Sequence, residues 1–327
     1  MKLFRTFSKI AILAVLMLSC TPQDRYITIT GYAQGGTYAV KLNLNGVNVR
    51  PEAIRDSVDS LLSAIDNSVS GYNKNSLLSR YNAGENVVPD DIFTDLCSYG
   101  QKFHEETAGV VDVASAKVFD LWGFGFKSGE MPTDEMVAEA MKERDSMRNL
   151  NFNAIAQGYS CDLVARYLYS IGVKDMMVDI GEIFCDGMNP SGKPWSLGID
   201  KPVDGNNELG AQIQGIFRAP EGAHGIVTSG NYRKFYIKDG KKYAHSIDPR
   251  TGYPVTHNLL SATIVADDAV TADAYATYCM VVGLEEAMDL IEKRTDLEGC
   301  LIYDEDGAFK TWCSKGFVLE ELPSEGQ

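Results

Sequence analysis

The sequence predicts an α+β fold for residues 27–322, and two observations support this prediction. Segments with helical periodicity dominate the first half of the chain, whereas hairpin-forming strand candidates dominate the second half. The hydrophobic (45%) and charged (23%) fractions are those of an ordinary globular protein. About 300 residues remain after an N-terminal leader, which suffices for one large domain or two closely packed lobes.

The first 19 residues have the pattern of an export signal. Lys2, Arg5 and Lys9 precede an apolar run, Ile10–Leu18, which is too short to span a bilayer as a stable helix. The run ends just before Cys20, and this arrangement resembles a bacterial lipoprotein signal, in which a small residue precedes the lipidated cysteine. We therefore expect removal of residues 1–19 and lipidation of Cys20. Ordinary secretion with cleavage nearby is the alternative.

The expected location follows from this signal. Residues 20–26 would form the lipidated cysteine and a short tether, and residues 27–322 would form a domain outside the cytoplasm. The domain would be anchored to a bacterial membrane, on the periplasmic side or at the cell surface.

Five helices are predicted from apolar residues that recur at helical spacing. Pro51 suits the first turn of the first helix, and Gly109 and Gly172 follow the ends of two others. The helix at residues 133–147 is charged and should be exposed. The predicted helices span residues 51–68, 91–107, 133–147, 158–171 and 271–293.

Strand candidates are apolar or alternating runs that lie between turn residues. The Asp239-Gly240 dipeptide suits a tight hairpin turn after one of them. A Gly-rich bend at residues 31–37 should also join two short strands. The other candidates span residues 176–184, 195–200, 212–217, 234–238, 261–266, 300–303 and 308–312.

The net charge excludes some partners. Removal of residues 1–19 takes away three basic and no acidic residues, which changes the formal charge from −15 to −18. Such a surface repels nucleic acid and anionic lipid headgroups, so we expect no nucleic-acid partner. None of the cysteines forms a C-x-x-C pair, so a zinc or thioredoxin-type site has no support. The compartment permits disulfides, but the sequence assigns none.

The most informative segment runs from His245 to Pro254. It groups a titratable imidazole with the Asp248 carboxylate and the Arg250 guanidinium around Pro249, which makes the turn rigid. An Arg side chain suits phosphate, and His can carry a proton near neutral pH. The alternative is a surface turn with a local Asp–Arg pair.

Two further segments suggest a phosphate-bearing ligand. Residues 153–162 open a helix, and backbone N–H groups at a helix N-terminus can bind phosphate. Asp273 and Thr277 lie one helical turn apart on the same face, which makes an oxygen site for Mg²⁺ conceivable. Capping or an intrahelical hydrogen bond is the simpler reading of that pair. The Gly-rich bend at residues 31–37 has neither dinucleotide-binding nor P-loop spacing.

Taken in order, these segments resemble the ApbE family, the FAD:protein FMN transferases, from about Thr30 to Glu292. The His245–Gly252 motif is highly specific, and the others are informative as an ordered set. The matching segments are Gly31–Thr37, Asp66–Ser70, Ser76–Asn82, Asp112 with Trp122–Gly125, Ala154–Asp162, Val178–Glu182, Trp195 with Lys201–Pro202, Thr228–Tyr232, His245–Gly252, and Ala272–Asp273 with Thr277.

The resemblance implies a single two-lobed, T-fold-like domain and a defined reaction. Family members bind FAD with Mg²⁺ and move the FMN moiety onto a Thr hydroxyl of an exported or membrane redox protein, with release of AMP. By this match the Ala154 carbonyl, Asp273 and Thr277 would hold Mg²⁺, and His245 and Asp273 would be catalytic. The implied FAD-binding residues are Gly35, Val111, Asp112, Gln157, Asp162, Ser229, His245 and Asp248.

Two residues depart from the family pattern. Gln157 stands where a charged residue is frequent, and Ile180 stands where many members have the first of two glycines. A β-branched residue does not readily adopt positive φ, so close backbone approach to a ligand at Ile180 is not expected. Three other functions remain open: an Mg²⁺-dependent FAD pyrophosphatase that gives FMN and AMP, a non-catalytic FAD-binding lipoprotein, and a solute-binding lipoprotein.

Overall fold

The computed structural model describes residues 25–125, 131–144, 149–203, 212–232, 235–238, 241–244 and 246–322. The predicted signal, Cys20 and most of the tether lie outside these residues, as does His245. Helices and antiparallel strands are both abundant, so the α+β class predicted from the sequence is confirmed. Within the described ranges, no helix combines the length and the apolar character that a membrane crossing requires.

Fifteen strands make up the sheets of the described chain. In chain order they are β1 (Tyr26–Ala33), β2 (Gly36–Asn43), β3 (Met176–Asp179), β4 (Ile183–Asp186), β5 (Ser196–Asp200), β6 (Ile213–Arg218), β7 (His224–Gly230), β8 (Phe235–Lys238), β9 (Lys241–Ala244), β10 (Ile247–Asp248), β11 (Tyr253–Pro254), β12 (Leu259–Ala266), β13 (Glu298–Glu305), β14 (Ala308–Cys313) and β15 (Leu319–Glu321).

The strands form one large sheet and three small ones. The large sheet has eight strands in the order β1-β2-β3-β4-β7-β12-β13-β14, and each neighbouring pair is antiparallel. A second sheet has the order β15-β6-β5, and β8-β9 and β10-β11 form two short hairpins. The pairing of β8 with β9 confirms the hairpin predicted around Asp239-Gly240.

Eight α-helices accompany these strands in the described residues. They are α1 (Pro51–Val69), α2 (Leu77–Asn82), α3 (Asp91–Glu106), α4 (Ala116–Leu121), α5 (Asp134–Arg144), α6 (Ala156–Ser170), α7 (Ala269–Val282) and α8 (Leu284–Lys293). Helices α1, α3, α5 and α6 confirm four predicted helices to within a few residues at each end. The short helices α2 and α4 were not predicted, because six residues carry too little periodicity.

The large sheet is buried on both faces. In the central strands β12 and β13, Ile264 and Leu301 belong to the main core beneath the helices, whereas their neighbours Val265 and Ile302 belong to a second core. That second core also contains Trp195 and apolar residues of β5 and β6. Because side chains alternate between the faces of a strand, helices cover one face of the sheet and the small sheet covers the other.

Two predicted elements are wrong in their extent, for one shared reason. The helix predicted over residues 271–293 is two helices, because Gly283 takes a φ of 87° and ends α7. The strand predicted over residues 176–184 is the hairpin β3–β4, which turns at Gly181 with a φ of 90°. In both places an apolar pattern continues through a glycine whose left-handed backbone reverses or breaks the element. The sequence also missed β7, although it lies at the centre of the sheet.

Candidate active site

Helices α6 and α7 each carry a carboxylate that accepts backbone N–H groups at the N-terminus of the other helix. The backbone N–H of Gly158, in the first turn of α6, donates to Oδ2 of Asp273 on α7 at 3.0 Å. Conversely, the two carboxylate oxygens of Asp162 on α6 accept the backbone N–H groups of Ala269 and Val270 at 2.8 Å each. A carboxylate at a helix N-terminus satisfies free N–H groups and meets the positive end of the helix dipole. The pair of helices is therefore fixed in register at both starts.

Gly158 permits this contact because the two helices approach closely there. A Cβ atom at this position would lie 2.2 Å from the carbonyl oxygen of Ala269 and 2.9 Å from Cβ of Asp273. Both distances are far inside van der Waals contact, and the nearest obstacle is backbone that cannot swing away. The glycine at the start of α6 is thus what brings the Asp273 carboxylate against the helix N-terminus.

Asp273 is a buried carboxylate without a nearby cation among the described residues. Its surface is 5% exposed, and burial raises its pKa, with a further increase from the Asp162 charge and an opposing effect from the Gly158 N–H. Burial likewise raises the pKa of Asp162, against the two backbone N–H groups of α7 that favour its ionised form. Two neighbouring carboxylates are here shielded from water, so a bound cation would stabilise their ionised forms.

The residues around Asp273 suit a hard cation. The described residues contain no group of three or more His, Cys, Asp or Glu side chains that could hold a metal ion, so other donors are needed. Within those residues Oδ1 of Asp273 has no hydrogen-bond partner, and half-buried Thr277 lies one turn further along α7. Ala154, whose carbonyl the family resemblance assigns to the metal, lies two residues before α6. Carboxylate, hydroxyl and carbonyl oxygens are the donors that Mg²⁺ prefers, so this set fits Mg²⁺.

The two departures from the family pattern contact each other. Nε2 of Gln157 donates to the backbone carbonyl of Ile180 at 3.2 Å. Ile180 is buried in the main core and does not have positive φ, because the adjacent Gly181 takes the left-handed conformation of the turn. A Cβ at Gly181 would lie 2.6 Å from Nε2 of Gln157. Gln157 therefore ties the start of α6 to the β3–β4 turn.

The tip of the β1–β2 hairpin also contacts the start of α6. Nε2 of Gln34 donates to the hydroxyl of Ser160, and Gln34 and the predicted ligand Gly35 both have positive φ at the tip. The structure thereby brings Gly35, Gln157 and the Asp273 region to one end of α6. Beside this hairpin, a cavity of about 360 Å³ is lined by residues of β1 and β2 and by Asp179.

The turn after residue 245 packs against α4 and α5. Asp248 accepts hydrogen bonds from the backbone N–H of Arg250 and from its guanidinium, with distances of 2.8 to 3.2 Å. Nε1 of Trp122 donates to the carbonyl of Gly252 at 2.8 Å, and the indole ring meets Tyr253 edge-on. The local Asp248–Arg250 pair, which was the alternative interpretation of this turn, is therefore present, and Trp122 of the Trp-Gly-Phe-Gly segment contacts the turn. His245 itself lies outside the described residues.

Arg144 joins two predicted segments, although no pattern in the sequence singled it out. Its Nη1 donates to the carbonyl of Pro249 at 2.7 Å, and its Nε lies 3.8 Å from Oδ2 of Asp112. The other carboxylate oxygen of Asp112 accepts the N–H of Ala114 and starts a short 3₁₀ helix. Val111, the preceding residue, was also predicted to bind FAD. It is buried, and the N–H of Val111 donates to the Thr107 hydroxyl.

The predicted residues thus fall into two groups that border α7. One group, at the start of α6, contains Gly35, Ala154, Gln157, Asp162 and Asp273, and Thr277 lies one turn beyond Asp273 on α7. The other group contains Val111, Asp112 and Asp248, which lie with Arg144 near the β10–β11 turn. Helix α7 packs against both α6 and β10, which places it between the groups. Ser229, half-buried in β7, stands opposite Ala262 of β12. Both oxygens of Asp162 are taken up by α7, so its role here is to position that helix.

The architecture of the chain is that of the flavin transferases. A flavin transferase structure from Vibrio cholerae aligns with a TM-score of 0.77 at 29% identity, over 90% of this chain and all of that one. The apo form of a flavinyl transferase from Pseudomonas stutzeri aligns with a TM-score of 0.79, also at 29% identity, over 90% of this chain and 96% of that one.

The chain belongs to the ApbE family, whose model matches residues 28–301. A relative from Haemophilus influenzae is 31% identical over 93% of this chain and 94% of its own length. A relative from Escherichia coli K12 is 29% identical over 97% of this chain and 99% of its own. Both relatives bear the name FAD:protein FMN transferase.

Proposed function

We propose that this chain is an FAD:protein FMN transferase. It moves the FMN moiety of FAD onto a hydroxyl of an acceptor protein and releases AMP. The observation that carries this proposal is the contact between the α6 N-terminus and the Asp273 carboxylate, because a helix N-terminus favours phosphate and a carboxylate favours a cation. The names of the family relatives, which cover nearly the whole chain, support it.

The reaction exchanges a phosphoanhydride bond of FAD for a phosphoester bond on the acceptor. The hydroxyl oxygen of the acceptor attacks the phosphorus of the FMN half, and the bond from that phosphorus to the bridging oxygen breaks. The leaving group is AMP, and the proton of the hydroxyl must be taken up by a base or by solvent. Such a transfer depends on positioning and on neutralisation of charge at the pyrophosphate. His245 is our candidate for handling that proton, and orientation of the pyrophosphate is its alternative role.

Residues of this chain would hold Mg²⁺ for that reaction. The carboxylate of Asp273, the hydroxyl of Thr277 and the carbonyl of Ala154 supply oxygen donors, while Asp162 fixes the helix that carries the first two. Bound Mg²⁺ would supply positive charge to the pyrophosphate oxygens. Three parts of the chain would line the FAD site. They are the first turn of α6 with Gln157, the tip of the β1–β2 hairpin with Gly35, and the region around Arg144 with Val111, Asp112 and Asp248. Ser229 of β7 would complete it.

The acceptor and the location follow from the N-terminal pattern. Lipidation of Cys20 would anchor the domain to a bacterial membrane outside the cytoplasm. The acceptor would then be an exported or membrane redox protein that presents a Thr hydroxyl.

One incubation distinguishes this proposal from its alternatives. The purified chain is mixed with FAD, Mg²⁺ and a Thr-bearing acceptor, and flavin fluorescence on the acceptor band and free AMP are measured together. Transfer predicts fluorescent acceptor and AMP in equal amounts, and an acceptor with Val in place of that Thr is the matched control. AMP and FMN without a labelled acceptor would instead indicate a pyrophosphatase. Bound, unchanged FAD would indicate a carrier, and no bound flavin would favour a solute-binding protein.

A further inference from the structure

Cys300 and Cys313 face each other across two strands of the large sheet. They are direct partners in the antiparallel register of β13 and β14, and their sulfur atoms lie 2.8 Å apart. The next pair outward, Gly299 and Ser314, is joined by a backbone hydrogen bond from the N–H of Ser314 to the carbonyl of Gly299. Because hydrogen-bonded and non-hydrogen-bonded pairs alternate, Cys300 and Cys313 form a non-hydrogen-bonded pair.

That position has the geometry a disulfide requires. Non-hydrogen-bonded pairs bring their Cα atoms to about 4.5 Å and hold the side chains on one face of the sheet. Disulfides span Cα separations of roughly 4.4 to 6.8 Å, so the two backbones need no rearrangement to be bridged. The remaining cysteines of the described chain, at positions 97, 161, 185 and 279, form no comparable sulfur contact.

The two thiols differ in exposure, which orders their chemistry. Cys300 is 1% exposed and packs in the second core, whereas Cys313 is half-buried at the rim of that core. Contact with the Cys300 thiol lowers the pKa of Cys313, while the same contact and burial raise the pKa of Cys300. A solvent-borne oxidant therefore reaches Cys313 first, and that sulfur is the one that ionises more readily.

We infer that Cys300 and Cys313 form an intramolecular disulfide on exposure to a disulfide oxidant, such as oxidised glutathione. The Cys313 thiolate attacks one sulfur of the oxidant and displaces its other half as a thiolate. The Cys300 thiolate then attacks the Cys313 sulfur of this mixed disulfide and displaces the second half. Two electrons pass to the oxidant, and its two thiolates take up the two protons that the cysteines release.

The bond would tie an edge strand to the body of the sheet. In the described chain β14 is the last strand of its sheet and pairs only with β13. A covalent link between Cys313, the final residue of β14, and Cys300 of β13 reduces the conformational entropy of the unfolded chain. The oxidised protein is therefore more stable than the reduced one. The link lies at the sheet edge opposite β1 and does not touch the proposed transfer site.

Trypsin provides a direct test on the full-length chain. Cleavage after Arg294, Lys310 and Lys315 places Cys300 in the peptide 295–310 and Cys313 in the peptide 311–315. The chain is treated with oxidised glutathione, its remaining thiols are alkylated, and the digest is analysed by mass spectrometry before and after reduction. We expect the two peptides to run as one linked species that separates on reduction, together with a rise of several degrees in melting temperature.

Two variants make the result decisive. Cys313→Ala should abolish both the linked species and the redox-dependent rise in melting temperature, whereas Cys97→Ala should leave both unchanged. Recovery of both peptides in singly alkylated form after oxidation of the folded chain would overturn the inference. A linked species that joins Cys300 to Cys185 would overturn it as well.

Discussion

Asp162 and Asp273 each bind the N-terminus of the helix that carries the other. Asp162 lies on α6 and accepts two N–H groups of α7, and Asp273 lies on α7 and accepts one N–H group of α6. Because the contacts are reciprocal, a shift of either helix along its axis breaks hydrogen bonds at both ends of the pair. The residue proposed to bind Mg²⁺ is thereby held by the same contacts that hold its helix.

Asp273→Asn should abolish AMP release and flavin transfer while the fold is retained. The Asn side-chain oxygen still accepts the Gly158 N–H, and loss of the charge removes repulsion with Asp162. The melting temperature of the ligand-free protein should therefore be unchanged or higher. FAD turnover is measured against Mg²⁺ concentration, with Thr277→Val as a milder variant that loses one neutral donor. Normal turnover by Asp273→Asn with unchanged Mg²⁺ dependence would remove α7 from the metal site.

Asp162→Asn should destabilise the protein and weaken Mg²⁺ binding indirectly. Asn has one acceptor oxygen, so it can replace only one of the two hydrogen bonds that Asp162 accepts from the start of α7. Loss of such a cap costs about 1–2 kcal/mol. The free energy of unfolding is measured in urea, alongside the Mg²⁺ concentration for half-maximal turnover. Asp268→Asn is the control, because the Asp268 carboxylate accepts the Thr271 N–H of its own helix and acts on α6 only through its charge near Asp162. Equal Mg²⁺ dependence in both variants would argue against a positioning role for Asp162.

Gly158→Ala should separate α6 from α7. The new methyl group would overlap the backbone of Ala269, so the helices must move apart and the Gly158–Asp273 hydrogen bond must lengthen. We expect a loss of about 1–3 kcal/mol in stability and a large loss of FAD turnover. Gly36→Ala is the matched control for stability, because a Cβ there meets no atom within 4 Å. Turnover at the wild-type rate in Gly158→Ala would show that the close helix approach is dispensable.

Gln157→Ala should impair FAD binding more than stability. The substitution removes the hydrogen bond to the Ile180 carbonyl, and a single neutral hydrogen bond on a half-exposed side chain contributes about 1 kcal/mol or less. The β3–β4 turn would no longer be tied to the start of α6, so KM for FAD should rise while the melting temperature changes little. Steady-state kinetics and thermal melts are compared. A lowered melting temperature with unchanged KM would make the contact purely structural.

His257 should make the protein less stable in mild acid. Its Nε2 donates to the carbonyl of Met280, its Nδ1 is buried without a partner among the described residues, and burial lowers its pKa. The unfolded chain keeps the ordinary His pKa of about 6.5 and so binds more protons below that pH. Stability is therefore lost as pH falls through this value. Melting temperatures at pH 7.5 and 5.5 should differ less in His257→Gln than in wild type or in the exposed-site control His104→Gln.

Sequence periodicity located the long helices but not the interruptions between elements. Apolar spacing defined α1, α3 and α6 because each buries one apolar face in the main core. The apolar spacing continues through Gly181 and Gly283, and it does not reveal the φ that either glycine adopts. Each of these two predictions therefore joined two elements into one. Strand β7 was missed because small and polar residues end it, and its burial comes from β4 and β12, which are distant in sequence.

The sequence predicted which residues the candidate site contains but not how most of them are arranged. The spacing of Asp273 and Thr277 placed both on one helical face, which the structure confirms. No local pattern could show that Asp162 would bind the start of α7, 107 residues away, or that Arg144 would join Asp112 to Pro249. Such contacts depend on how the sheet brings the helices together, and a single sequence does not encode that register visibly.

Under the proposed lipidation of Cys20, strand β1 would set the distance between the membrane and the transfer site. Its eight residues start at Tyr26, where the proposed tether ends, and finish next to Gln34, which contacts α6 beside the site. At about 3.3 Å per residue the strand spans roughly 26 Å, and the six tether residues before it, 20–25, add at most about 22 Å when fully extended. An enzyme anchored at Cys20 could thus modify hydroxyl groups only within a layer some 50 Å deep above the bilayer. Acceptor domains on longer stalks would have to bend down into that layer.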